Sequence, residues 1–122
     1  MEKRKDKRYR ERDRVFILDN GQALQTAANG PIHAYTQDIS ISGVQICSNL
    51  DPPVGQVIQI VIELKGNDEP IRLDGRVIWT RKHEHGNNFD IGVEFLHSTS
   101  DTIISLIRHF YGKHERVASP LR

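Results

Sequence analysis

The chain has 122 residues, one cysteine and a formal net charge of +1, with 37% hydrophobic and 27% charged residues. That length suits one domain around a single core rather than two ordinary domains, and the one cysteine, Cys47, excludes an intramolecular disulfide framework and an all-cysteine metal site. No apolar run approaches the length of a membrane span, and no apolar stretch follows the charged N-terminus, so neither membrane insertion nor a secretory signal is expected and the expected location is cytoplasmic.

Residues 1–14 carry eight Lys and Arg against four Asp and Glu, whereas the rest of the chain carries nine against twelve. A basic arm on a slightly acidic body suits an anionic partner, the plain alternative being a solubilising tail. The arm has no apolar period and only Tyr9 as an anchor, so a flexible segment is expected over 1–14 and a single domain over 15–112. Val15 to Leu18 is a short apolar run closed by Asp19-Asn20-Gly21, a turn signal. Gln22 to Ala28 is weakly strand-like, and Ile32, Ala34 and Thr36 alternate with polar residues up to Asp38. Gly43 to Cys47 is a further short strand, and Asp51-Pro52-Pro53 breaks the chain.

The clearest period follows. Ile58, Ile60, Ile62 and Leu64 share one face of a strand over Gln56 to Leu64. Lys65-Gly66-Asn67-Asp68 reads as a hairpin turn. In the next strand Ile71, Leu73, Val77 and Trp79 fall in phase, which predicts a buried Trp79, and Gly75 marks a bulge or a close backbone approach. After a polar loop over 82–88, Phe89, Ile91, Val93 and Phe95 alternate with Asp90, Gly92 and Glu94. The period then changes. Ile103, Ile104, Ile107, Phe110 and Tyr111 define one face of a helix over about 99–111, with Ser98 or Ser100 as its cap and Gly112 at its end. Residues 113–122 read as a frayed tail. Six short strands and one helix predict a mainly β fold: a six-stranded antiparallel barrel with a C-terminal helix over one open end or face.

Two features stand out chemically. Arginines recur four apart in the arm, as Arg4/Arg8, Arg8/Arg12 and Arg10/Arg14, and Asp38-Ile39-Ser40-Ile41-Ser42-Gly43 joins two strands. By itself the hexapeptide is turn chemistry, in which Asp and Ser bond nearby backbone and Gly takes a positive φ. His83 and His85 are two apart in a polar loop with no third ligand nearby in sequence, so no metal site is expected. No nucleophile elbow and no poised acid–base pair appear, so an enzyme is not expected. The eight aromatics sit mostly at core-like positions, which argues against a nucleic-acid-binding barrel.

Taken together, the two motifs resemble those of the PilZ domain, the bacterial cyclic di-GMP receptor, which carries R-x-x-x-R in an N-terminal arm and D/N-x-S-x-x-G at a strand-to-strand turn. Arg10 and Arg14 supply the first motif, Arg14 directly preceding the first apolar run, with Arg8 and Arg12 as the alternative register. Asp38, Ser40 and Gly43 match the second, and Gly75 to Trp79 followed by Ile91 to Phe95 is similar to the family's late strand pair. The resemblance implies a split-barrel fold and a second-messenger receptor. In that reading Arg10, Arg14, Asp38, Ser40 and Gly43, with Arg8, Arg12 and Trp79 as further candidates, clamp the dinucleotide, order the arm and signal to an unidentified downstream protein. The chemistry fits: an arginine fork reads guanine O6 and N7 or a phosphate, and a carboxylate accepts the N–H groups of guanine. Glu11 and Asp13 interrupt the arginines and stand within reach of them, which keeps open a PilZ-like protein-interaction module that does not bind the nucleotide.

Overall fold

The computed structural model describes residues 7–19, 22–23, 26–27, 30–84, 86–96 and 102–110. Its strands are β1 (Tyr9–Arg10), β2 (Arg14–Asp19), β3 (Gln22–Ala23), β4 (Thr26–Ala27), β5 (Gly30–Pro31), β6 (Ala34–Ile39), β7 (Gly43–Ser48), β8 (Val57–Glu63), β9 (Ile71–Lys82) and β10 (Phe89–Phe95). The main sheet runs β1-β6-β7-β10-β9-β8-β2-β3, and a further pairing of β2 with β6 closes six of these strands into an antiparallel barrel. The expected architecture is therefore present. Among the described residues, the weakly strand-like stretch after the first turn contributes β3 and β4; β3 pairs back onto β2, and β4 pairs with β5 in a separate ribbon.

The strand alternation read from the sequence fills the barrel. Ile39, Ile46, Ile60, Ile62, Val77 and Ile91 are fully buried at its centre. Gly66 turns the β8–β9 hairpin with a φ of 87°, a conformation that favours glycine. A single helix among the described residues, α1 over 102–110, packs Leu106 and Phe110 into the same core.

The expected phase of α1 needs correction. On α1, Ile104 and Ile107 are 43% and 47% exposed, while Leu106, His109 and Phe110 are buried. The helix is rotated relative to the stripe of isoleucines because His109 has polar partners waiting inside: Glu11 of the arm and Asn67 of the β8–β9 turn. The expected caps Ser98, Ser100 and Gly112, and the tail over 113–122, lie outside the described residues.

The arm expected as flexible over 1–14 is seated on the barrel from Lys7 onward. Tyr9 and Arg10 pair with Ile39 and Asp38. The chain alternates strictly from there: Asp13, Val15 and Ile17 are buried and Tyr9 and Glu11 partly so, while Arg8, Arg10, Arg12, Arg14 and Phe16 face out. Tyr9 stacks on Phe110 at 4.5 Å between ring centroids. Asp13 accepts the Lys65 backbone N–H at 3.1 Å, and the Thr36 hydroxyl donates to the Glu11 carbonyl at 2.6 Å. Glu11 and Asp13 thus face the barrel and α1 rather than the arginines between which they stand.

Candidate functional site

Two β-bulges build the site. In β6 the register with β7 shifts between Thr36 and Asp38, leaving Gln37 as an extra residue. Strict alternation from Ala34 and Thr36 would aim Asp38 into the core; the extra residue turns it to the outer face while Ile39 returns inward. In β9 the pairing with β10 passes from Val77↔Val93 to Trp79↔Gly92, leaving Ile78 as the extra residue. Trp79 therefore leaves the core phase of Leu73 and Val77. It is 37% exposed, and the burial expected from sequence is overturned. Gly75, where a bulge or close approach was expected, is the close approach: the Val93 side chain occupies the place a Cβ would take.

Both outward-turned residues border one open depression of about 500 Å³, lined by Arg8, Asp38, Ser42, Gly43, Gln45, Trp79 and neighbouring residues of β7, β9 and β10. That volume is in the range of small-molecule sites. Arg8 closes one side. Its Nε donates to Asp38 Oδ1 at 2.7 Å and its Nη1 to Ser40 Oγ at 3.2 Å. Ser40 is fully buried, and its Oγ accepts the backbone N–H groups of Ser42 and Gly43 at 3.3 and 3.2 Å, so it organises the turn and meets the arm through one atom. Gly43 has no positive φ; the reason for glycine here is that a Cβ would lie 2.5 Å from the Val93 carbonyl oxygen.

The arginines separate. Arg8 lies in the depression, and Arg10 sits opposite Asp38 in the β1–β6 ladder, on the same face. Arg12 lies over the Tyr35 ring at 4.4 Å. Arg14 points elsewhere, with its Nε 4.0 Å from Glu63 and its guanidinium 5.8 Å from the centre of the Phe16 ring. The structure thus gathers Arg8, Asp38, Ser40, Gly43 and Trp79, with Arg10 beside them, and leaves Arg14 outside. Sequence reasoning missed Gly92. The Trp79 indole lies directly on it, in the space any side chain would fill, and a glycine inside a regular strand is the signal that pointed there.

A second polar cluster lies at the other end of β10. Asp90 is buried, its Oδ2 accepting from Arg81 Nη2 and its Oδ1 meeting His83 Nε2, each at 2.7 Å. Burial pushes its carboxyl up, but the hydrogen bonds from Arg81 and His83 prevail and hold it below the usual carboxylate range. Burial, with the Asp90 charge adding to it, pushes the neighbouring Cys47 thiol up.

The described residues thus form a closed antiparallel barrel with an N-terminal arm folded over a polar, tryptophan-edged depression. The chain belongs to the PilZ domain family, whose profile matches residues 2–112. Among solved structures it is similar to the Bacillus subtilis inhibitor of motility MotI/DgrA, with a TM-score of 0.70 and 13% identity over 98% of this chain and 53% of that one. It is also similar to Escherichia coli YcgR in complex with c-di-GMP, at 0.67 and 15% over 93% of this chain and 47% of that one. The isolated PilZ domain of YcgR with c-di-GMP gives 0.62 and 17% over 96% and 95%. The chain spans about half the length of MotI/DgrA and of full YcgR. Comparison with curated protein sequences gives no match. No helix among the described residues is long and apolar enough to cross a membrane.

Proposed function

We propose that this domain is a cyclic di-GMP receptor and that the depression between Arg8, Asp38 and Trp79 is its nucleotide site. The carrying observation is the Arg8–Asp38 contact at 2.7 Å: the arginine-rich arm and the D-x-S-x-x-G turn already meet at one carboxylate. Membership of a family whose solved members include YcgR and its PilZ domain with c-di-GMP supports the ligand.

The chemistry is an exchange of partners. A guanine presents N1–H and N2–H side by side, much as a guanidinium presents its N–H groups, so it replaces Arg8 on Asp38. The pair it displaces is partly exposed and is worth only about 0–1 kcal/mol. Each charge-assisted hydrogen bond gained contributes about 1.5–3 kcal/mol. Arg8 is then free for guanine O6 and N7 or a phosphate, with Arg10 on the same face and Arg12 further along the arm. Trp79 offers a stacking surface, and Gly43 keeps the main chain low. A net binding free energy of about −8 kcal/mol corresponds to micromolar affinity. Because Arg8 is the residue before Tyr9, which stacks on Phe110 of α1, movement of the arm is felt by the helix, and α1 is the element through which a protein partner would sense the ligand.

Calorimetric titration with cyclic di-GMP, with GTP as a control, tests the reading. Saturable heat that is lost in Asp38→Ala supports it, and the stoichiometry gives the number of nucleotides per chain. No heat at about 100 μM, far above a micromolar dissociation constant, would leave a PilZ domain acting through protein contacts alone.

A further inference from the structure

We infer that Cys47, His83 and Asp90 form a zinc site, separate from the nucleotide depression. In sequence these three residues are scattered, and the barrel supplies what spacing does not. Cys47 of β7 and Asp90 of β10 are directly opposed in their ladder, and His83 follows the end of β9 on the other side of Asp90. The Cys47 sulfur, a His83 ring nitrogen and an Asp90 carboxylate oxygen all lie within 4.8 Å of one another. Tetrahedral zinc with Zn–S of about 2.3 Å and Zn–N or Zn–O of about 2.0–2.2 Å sets its ligand atoms about 3.3–3.6 Å apart. The three atoms therefore need only side-chain adjustments of about 1 Å to share one ion.

The donor set has the right charge and softness. A thiolate and a carboxylate balance a divalent cation, and one thiolate with one imidazole selects zinc over magnesium or calcium. The ion takes the place of the direct contact between His83 Nε2 and Asp90 Oδ1, at 2.7 Å, and the Cys47 proton is released on binding. Arg81 is already placed as an outer partner: its Nη2 holds Oδ2 at 2.7 Å, which fixes the carboxylate and leaves Oδ1 for the metal. Asp90 and His83 also border an open hollow together with Lys82 and Glu84, so the fourth coordination position faces solvent. Three protein ligands and one open position form a site that exchanges a water or an added ligand.

Titration of the untagged, reduced protein with Co²⁺ and then Zn²⁺ tests this. Expected are a thiolate-to-cobalt charge-transfer band that saturates at one ion per chain and is bleached by Zn²⁺, and a Zn²⁺-dependent rise in Tm. Cys47→Ser removes the band and weakens Zn²⁺ binding by more than about 100-fold, beyond what outer-shell changes cost. His83→Gln, a change in a half-exposed loop residue that leaves the core untouched, weakens it comparably. Absence of the band in the wild-type chain, or a Zn²⁺ affinity that Cys47→Ser and His83→Gln leave unchanged, overturns the assignment.

Discussion

His109 of α1 reaches Glu11 of the arm, with Nε2 2.9 Å from Oε2, and both side chains are almost wholly buried. The two are 98 residues apart, so one contact ties the N-terminal arm to the C-terminal helix. Removing one partner of a buried pair costs about 3–5 kcal/mol, whereas replacing both by well-packed apolar residues is often neutral. His109→Ala should therefore lower the stability measured by urea unfolding by about 3 kcal/mol. Glu11→Leu combined with His109→Leu should recover most of that loss. Trypsin should also cut the arginine-rich arm faster in the single variant. Additive losses in the double variant would show that the two side chains are not coupled.

Asp13 makes the seat of the arm sensitive to pH. Burial, then the hydrogen bond and charge of Glu11, raise its carboxyl from 3.8 to about 7 against the Lys65 N–H and His109. The folded state therefore holds this proton more tightly than the unfolded chain. Its contribution to stability is complete below about pH 4 and is lost as pH rises through about 7. Wild-type Tm should fall between about pH 5 and pH 8 by more than in Asp13→Asn, which keeps the neutral shape at every pH. Equal slopes for the two proteins would remove Asp13 as the source.

The barrel was legible because its inward positions are apolar: Ile58, Ile60 and Ile62 announce a strand face, and they are buried as their spacing requires. The seat of the arm was not, although it has the same two-residue period. Its inward positions are Tyr9, Glu11 and Asp13, and polar side chains on an inward face look like solvent-facing ones until their partners are known. Those partners, Thr36, Lys65 and His109, come from three distant segments. The site was legible as motif residues but not as geometry. Period two cannot register an extra residue, so Trp79 was given the core phase that Ile78 cancels, and the outward turn that Gln37 gives Asp38 could not be read from the alternation.

Arg8 and Arg14 are expected to behave differently. Arg8 donates to both Asp38 and Ser40, whereas Arg14 lies beside Glu63 and Phe16. Under the proposed function, Arg8→Ala should weaken cyclic di-GMP by about 10- to 100-fold, the loss of one charge-assisted contact. Arg14→Ala should change it by less than about 3-fold, within the small worth of an exposed ion pair. The reverse ranking would mean that the arm changes register on the barrel when the nucleotide enters, bringing the Arg10/Arg14 pair into the site.

Trp79 offers the sharpest separation of a core role from a ligand role. A buried tryptophan replaced by alanine costs about 3–5 kcal/mol of stability. Trp79 instead lies over Gly92 and is 37% exposed, held out by the bulge at Ile78, so Trp79→Ala should cost about 2 kcal/mol, below the range of a core tryptophan. Base–aromatic stacking is worth about 1–3 kcal/mol, so the same variant should lose about 5- to 100-fold in nucleotide affinity. Gly92→Ala supplies the complementary change. Its added Cβ collides with the indole and lifts it from β10, so affinity should fall while Trp79 itself is retained. Because Trp79 is the sole tryptophan of the chain, its emission reports both effects without a label. Saturable quenching by cyclic di-GMP in the wild type, with a weaker midpoint in Gly92→Ala, is the expected pattern. A Trp79→Ala protein that unfolds readily would return the residue to the core.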